Sequence, residues 1–328
     1  MRLLVLGGTE FVGRAVTEEA LARGWQVTVF NRGRHGVPDG VEALRGDRAA
    51  AGEGGLAALE RGTWDVVVDT WSGAPSAVRD AARLLAGRAG SYAYVSSRSV
   101  YSWPQAAGLT EDGPLVDASP DAGEVEYAQD KRGGELAAVA AFGERALLVR
   151  AGLILGPYEN IGRLPWWLGR IARGGLVAAP GPRDLPLQYV DARDLAGWTL
   201  DAAARGLGGP YDMVSPSGHT TMGELLETCV RVTGSDAELR WIAPDAVLAA
   251  GIEPWTELPV WLPPGESHDA LHRSDVSKAA SAGLRCRPVT ETVADTWEWL
   301  RLGGQPRLRP GRAAVGLAPE KEALLLGG

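Results

Sequence analysis

A tyrosine and a lysine stand four residues apart in "YAQDK", as Tyr127 and Lys131. On a helix, positions i and i+4 share a face, so the ammonium would lie beside the phenol. A neighbouring cation stabilises phenolate and draws a phenol down from its ordinary pKa near ~10, which suits a general acid/base. The other reading is a solvated helix pair. It is weakened by the scarcity of lysine, since Lys278 and Lys321 are the only others in the chain. Upstream, "YAYVSSRSVYS" (92–102) ends an apolar run in the hydroxyls of Ser96, Ser97 and Ser99. In an open parallel sheet, ligands bind beyond the carboxyl ends of the strands, which would face these serines towards a crevice. Turn and cap chemistry is the alternative use of such a cluster.

The third candidate is "RLLVLGGTEFVGRAV" (2–16). A short apolar strand runs into Gly7 and Gly8, and Gly13 follows at the start of a helical pattern. Glycines let the backbone approach an anion, and a helix N-terminus offers free N–H groups with partial positive charge. The loop Gly7, Gly8, Thr9, Glu10, Phe11, Val12 and Gly13 is therefore a candidate pyrophosphate cradle. Glu10 is unexpected there, because a carboxylate repels phosphate.

Those groups need a scaffold to hold them. Strands are expected at 2–7, 25–31, 41–47, 64–70, 91–97 and 146–155. Helices are expected at 12–24, about 53–61, 75–86 and 124–142. This alternation implies right-handed crossovers and a parallel sheet covered on both faces. Beyond Gly156 proline and tryptophan become frequent, which marks a smaller lobe. The expected division is 1–155 plus 185–206 for the dinucleotide-binding body, 156–184 and 207–302 for the substrate lobe and a closing helix, and 303–328 for a docked or frayed tail. "RGD" (45–47) closes the third strand and "FNRGR" (30–34) closes the second.

The net charge of −8 argues against a broad nucleic-acid-binding surface. No apolar run approaches the ~18 to 20 residues needed to span a bilayer, and the opening strand does not read as a signal peptide. Cys229 and Cys286 match no metal spacing, and neither do His219, His268 and His272. The expectation is a cytoplasmic protein with a small-molecule substrate, no nucleic-acid or membrane partner and no metal.

Taken together and in order, these segments resemble the short-chain dehydrogenase/reductase superfamily, in its extended branch of NAD-dependent epimerases and dehydratases. The resemblance covers nearly the whole chain. It rests on the glycine loop, "RGD" (45–47), "VSSRSVY" (95–101), "YAQDK" (127–131), "RAGLILGPYE" (150–159) and "LQYVDARDLA" (187–196). It implies an α/β, Rossmann-type doubly wound sheet with a smaller C-terminal substrate lobe. It implies Ser97 as the catalytic hydroxyl, Tyr127 as acid/base, Lys131 as its partner and a ligand of the nicotinamide ribose, and Asp47 on the adenine. The activity implied is NAD(P)-dependent epimerisation or redox at a secondary alcohol or ketone of a sugar nucleotide or similar metabolite. Dehydratases of the branch carry an Asp-Glu pair after the catalytic hydroxyl, whereas this chain has Arg98 and Ser99. Arg98 is then a candidate for a substrate carboxylate or phosphate, with a solvent-facing loop arginine as the alternative. Arg163 and Trp166 are candidates for one wall of the substrate cleft, with lobe core as the alternative.

The chain also resembles atypical members with a "GGT-x-F-x-G" loop and an "N-R-G" stretch, some of which bind RNA or sense cofactor without catalysis. Extended-branch enzymes are frequently dimers through two helices, here 75–86 and 124–142. As for the cofactor, Glu10 favours NAD(H), while Asn31, Arg32 and Arg34 after the second strand suit the 2′-phosphate of NADP(H). An ion pair from Glu10 to Arg32 or Arg34 would reconcile them and leave NADP(H) favoured.

Overall fold

The computed structural model describes residues 1–49, 55–307 and 314–327. In the first half β1 (Arg2–Leu6), α1 (Phe11–Ala22), β2 (Gln26–Asn31), β3 (Glu42–Arg45), β4 (Trp64–Asp69), α2 (Pro75–Leu85), β5 (Ala89–Ser97), α3 (Tyr127–Phe142) and β6 (Ala146–Ala151) alternate along the chain. Then come β7 (Ile154–Leu155), α4 (Arg163–Ala172), β8 (Leu176–Pro180), β9 (Pro186–Leu187), β10 (Val190–Asp191), α5 (Ala192–Ala204) and β11 (Gly209–Met213). The rest is β12 (Thr220–Thr221), α6 (Met222–Thr233), β13 (Glu238–Ile242), α7 (Pro244–Ala249), β14 (Pro254–Trp255), β15 (Leu258–Pro259), α8 (Glu266–His272), α9 (Ser277–Ser281), α10 (Val289–Arg301) and α11 (Pro319–Leu326).

Seven strands form one parallel sheet in the order β11-β6-β5-β4-β1-β2-β3. The inner strands such as β1 and β4 are largely apolar on both faces because helices cover both. Leu3 and Val5 of β1 pack with α1 and α5 on one side, while Leu4 and Leu6 pack with α2 and α3 on the other. The order reverses between β1 and β4, which opens the crevice at their carboxyl ends. There the Thr70 hydroxyl donates to the carbonyl of Leu6 at 3.0 Å.

A separate core joins α4, α6 and β8 around the fully buried Trp167 and Trp261. These two indoles donate to the carbonyls of Pro259 and Gly181, which satisfies their buried N–H groups.

Three expectations need correction. The stretch 207–302 is not all lobe, because β11 pairs with β6 and completes the main sheet. The strand expected at 146–155 is broken at Gly152, where a Cβ would come within 2.3 Å of Val214 Cγ1, and its second part pairs with β10. The helix expected at 53–61 is only a 3₁₀ turn at Ala57–Leu59, and its first residues, 53 and 54, lie outside the described ones.

Candidate active site

The glycine loop leaves β1 with Gly7 and Gly8 at φ +120° and +87°, backbone that side chains disfavour. A Cβ on Gly8 would lie 2.7 Å from Val29 Cγ1, and one on Gly13 would lie 2.7 Å from the Gly8 nitrogen. The helix therefore sits hard against the loop, and the Thr17 hydroxyl donates to the carbonyls of Gly8 and Gly13. Helix α1 has no side-chain N-cap and no acid in its first turn. Its leading N–H groups are thus open to an anion, as a pyrophosphate cradle requires.

Glu10 does not pair with Arg32 or Arg34. Its carboxylate is 3.0 Å from His35 Nε2 instead. The reason is local geometry: Asn31 turns its carboxamide inward, donating to the Gly7 carbonyl and accepting from the Gly33 N–H, and the loop folds back to bring His35 over Glu10. Arg32 and Arg34 stay exposed. Asp47 accepts the N–H of Ala49 through Oδ1.

Ser97 ends β5. Its hydroxyl accepts the Ser99 N–H and donates to Ser99 Oγ, both at 3.1 Å, so it caps a short 3₁₀ turn while staying at the strand end. Tyr127 is the first residue of α3 and is half exposed. Lys131, one turn later, is buried; its Nζ donates to the carbonyls of Trp71 at 2.5 Å and Val95 at 2.8 Å and lies 5.0 Å from the Tyr94 ring. The ammonium is thereby tied to β5 two residues before Ser97. Two mid-helix glycines make this approach possible. A Cβ on Gly133 would meet Pro75 at 2.6 Å, and one on Gly134 would meet the Tyr94 hydroxyl at 2.4 Å. Their cost to helix stability, about 1 kcal/mol each, is offset by the close seating of α3 on the sheet.

Beneath these groups runs a buried polar network that sequence reasoning missed. Glu135, one turn after Lys131, accepts from Ser96 Oγ at 2.8 Å and from Arg150 Nε and an Nη at 2.8 and 3.1 Å. Arg150 also donates to Tyr101 Oη, whose proton goes to Asp212 Oδ1 at 2.7 Å. Asp212 is pushed up to about 6, chiefly by burial and in part by Glu111, against the pull of Arg98. A second buried group joins Arg48, Asp69 and Tyr92 under the crevice: Arg48 holds both Asp69 oxygens, and Tyr92 donates to Oδ2 at 2.5 Å. Burial works to raise the Asp69 carboxyl, but Arg48 outweighs it and holds the group below its usual range. The available signals were a carboxylate ending the apolar run of "WDVVVD", Glu135 in step with Lys131, and Arg150 inside "ALLVRA".

Arg98 is not a solvent-facing loop arginine. It is buried, donates to the carbonyls of Ala270 and Leu271 in α8, and has Nε 3.4 Å from Asp212 Oδ2. Its guanidinium fastens the end of β5 to α8 of the lobe. Arg163 heads α4, where the buried Glu159 carboxylate accepts its N–H and that of Leu164, and its guanidinium lies over the Trp255 ring at 5.1 Å. Trp166 packs edge-on to Trp167, partly buried against the lobe core.

His219, His268 and His272 all contact backbone: His219 the Arg287 carbonyl, His268 the Pro186 carbonyl, and His272 the Gln188 N–H. Burial lowers His272 to about 3, so it is a neutral acceptor. Among the described residues no group of three His, Cys, Asp or Glu side chains is placed to hold a metal ion, and no helix is long and apolar enough to cross a membrane.

No family model and no curated protein sequence matches the chain. Solved structures do. A putative epimerase from Burkholderia cenocepacia J2315 superposes with TM-score 0.65 at 20% identity, over 92% of this chain and 98% of that one. A UDP-glucuronic acid 4-epimerase from Bacillus cereus, in complex with NAD, gives 0.65 at 13% identity over 93% and 100%. A UDP-glucose 4-epimerase from Thermus thermophilus, also with NAD, gives 0.61 at 21% identity over 92% and 99%. The chain therefore has, along almost its full length, the fold of these epimerase structures.

Proposed function

We propose that the chain is an NAD(P)-dependent epimerase or oxidoreductase acting on a secondary alcohol or ketone of a sugar nucleotide or similar hydroxylated metabolite. One observation carries this reading: the buried Lys131 ammonium, one helical turn after the half-exposed Tyr127, is fixed to the Val95 carbonyl two residues before Ser97. A nicotinamide dinucleotide bound along the crevice supplies the hydride acceptor or donor. Gly7, Gly8 and the open N-terminus of α1 suit its pyrophosphate. Tyr127 exchanges the hydroxyl proton of the substrate, Lys131 would hold the nicotinamide ribose, and the Ser97 hydroxyl bonds the substrate oxygen as its charge changes.

With Arg98 and Ser99 after Ser97, no carboxylate follows the hydroxyl to assist loss of water, which favours epimerisation or simple redox over dehydration. The UDP-sugar 4-epimerases of the same fold support a sugar nucleotide, received by the lobe of α4, β8, α6 and β13. NADP(H) is the preferred form in this reading, because no carboxylate ends β2 and Arg32 and Arg34 are exposed there, although several structures of this fold hold NAD. A homodimer through α2 and α3 is supported by the exposed Val139 on α3.

The test is nicotinamide absorbance of the purified protein, followed by a turnover screen of nucleotide sugars and non-sugar ketones with both cofactors. Tightly held cofactor with interconversion of two epimeric sugars is expected of an epimerase, and exchanging cofactor with net NAD(P)H consumption of a reductase. Failure to bind either cofactor would overturn the proposal.

A further inference from the structure

The segment that follows α10 does not leave the body of the protein. Gly303, Gly304, Gln305 and Arg307 line, together with Thr9, Glu10 and Arg14, a cleft of about 240 Å³. Tyr158 and Trp299 floor this cleft, with the Arg14 guanidinium 3.8 Å above the Tyr158 ring. At its end the exposed Arg307 has an Nη 2.8 Å from His35 Nδ1, and His35 Nε2 is 3.0 Å from the Glu10 carboxylate. A guanidinium can only donate, so Nδ1 accepts, and the proton sits on Nε2, where it is given to Glu10. The neutral imidazole thus holds the one acid of the glycine loop on one side and an arginine from the far end of the chain on the other.

The charge around this bridge is unbalanced. Arg32 and Arg34 are exposed on the same loop, and the Arg45 guanidinium lies against its backbone, 3.1 Å from where a Cβ on Gly33 would stand. Against these and Arg307 stand Glu10, already engaged by His35, and Asp47, turned to the Ala49 N–H. Arg32, Arg34, Arg45 and Arg307 thus bring four guanidinium groups to this loop, where Glu10 and Asp47 are each already engaged, and such a cluster suits a dianion. Guanidinium is the side chain best fitted to take phosphate by paired hydrogen bonds.

We propose that Arg307 is a cofactor-specificity residue, delivered by the C-terminal segment to the 2′-phosphate of NADP(H). This rests on the cofactor preference proposed above. In the free protein His35 holds Arg307 beside the site. When the phosphate is present the guanidinium transfers to it, while His35 keeps Glu10 turned away from the anion. The carboxylate in the glycine loop is then the anchor of the histidine that stores the arginine, rather than a bar to the 2′-phosphate.

The test is calorimetric titration of the full chain with NADPH, NADH and 2′,5′-ADP, in the wild type, Arg307→Gln and the double variant Arg32→Gln/Arg34→Gln. Arg307 is exposed, so its replacement leaves the fold intact. The expected result is wild-type preference for NADPH and, in Arg307→Gln, about tenfold weaker binding of NADPH and 2′,5′-ADP with NADH binding unchanged. An unchanged NADPH preference in Arg307→Gln, together with its loss in the double variant, overturns the role of Arg307 and leaves the cofactor reading standing. Equal weakening of NADPH and NADH by Arg307→Gln also overturns it, since the segment would then only brace the loop. A wild type that does not prefer NADPH removes the cofactor reading and this inference together, before any variant is made.

Discussion

Lys131 Nζ donates to the carbonyl of Val95 at 2.8 Å, so the ammonium on α3 is pinned to the strand that ends in Ser97. The position of the charge is set by backbone, and only the side chain can supply it. Lys131→Met should keep the fold and lower kcat by about 10²- to 10⁴-fold, the usual span for a general acid/base contribution. Tyr127→Phe should reduce turnover similarly while cofactor binding persists, as measured by steady-state kinetics beside a cofactor titration. Full activity in either variant would refute the assignment.

The close seating of α1 on the glycine loop makes Gly13 a sensitive position. In Gly13→Ala the new methyl lands 2.7 Å from the Gly8 nitrogen, a contact that backbone on both sides cannot yield cheaply. Misplacement of the open helix N-terminus is expected to weaken dinucleotide binding by at least about tenfold, equivalent to ~1.4 kcal/mol. Cofactor titration with circular dichroism as a check on folding reads this directly, and unaltered affinity would show that the loop has slack.

Arg48 and Asp69 form an ion pair whose side chains are buried, with Tyr92 completing the carboxylate's shell. Arg48→Met leaves a buried anion without its cation and should cost about 3–5 kcal/mol in denaturant unfolding. The Asp69 carboxyl is held below its unfolded value of 3.8. The stability it contributes is therefore present above that value and lost as pH falls through the lower, folded one. In Arg48→Met the burial that Arg48 outweighed would raise this carboxyl instead, so the deficit relative to wild type should shrink as pH falls and the buried anion takes up a proton.

Asp212 behaves in the opposite sense. Its folded carboxyl is raised from 3.8 to about 6 by burial, so the fold binds its proton more tightly than the unfolded chain does. Its stabilising contribution is full below 3.8 and is lost as pH rises to 6. Asparagine keeps the shape without the ionisation. Asp212→Asn should therefore gain stability relative to wild type as pH rises from about 4 to about 7, followed by thermal melts across that range. A difference that is flat in pH would place the titration elsewhere.

The local parts of this molecule were legible in the sequence. The run from β1 through the glycines to α1, the placing of Tyr127 and Lys131 one turn apart on one helix, and the parallel alternation all follow from short-range periodicity and residue chemistry. What escaped was long-range. Nothing near Glu10 in sequence points to His35 rather than Arg32, because the choice depends on how Asn31 turns the loop back. Arg98 read as a loop residue because its partners, Asp212, Ala270 and Leu271, lie more than a hundred residues away. The position of β11 in the main sheet was hidden in the same way, since a short strand beyond a lobe carries no local mark of the neighbour it will pair with. Arg163 and Trp166 show a further limit: aromatic and cationic residues after a turn have the same spacing whether they line a cleft or, as with Trp166, pack against a core.

The final helix gives the end of the chain a mechanical role. Glu322 of α11 is buried, accepting Arg170 Nε at 2.6 Å and the Ala178 N–H at 3.1 Å, and the Leu326 carbonyl accepts from Arg240. Pulling α11 away would strip the Arg170 guanidinium of its buried carboxylate and the Ala178 N–H of its acceptor. While α11 stays docked, the chain on either side of Arg307 is anchored: by α10 before it and by α11, moored in the lobe, after it.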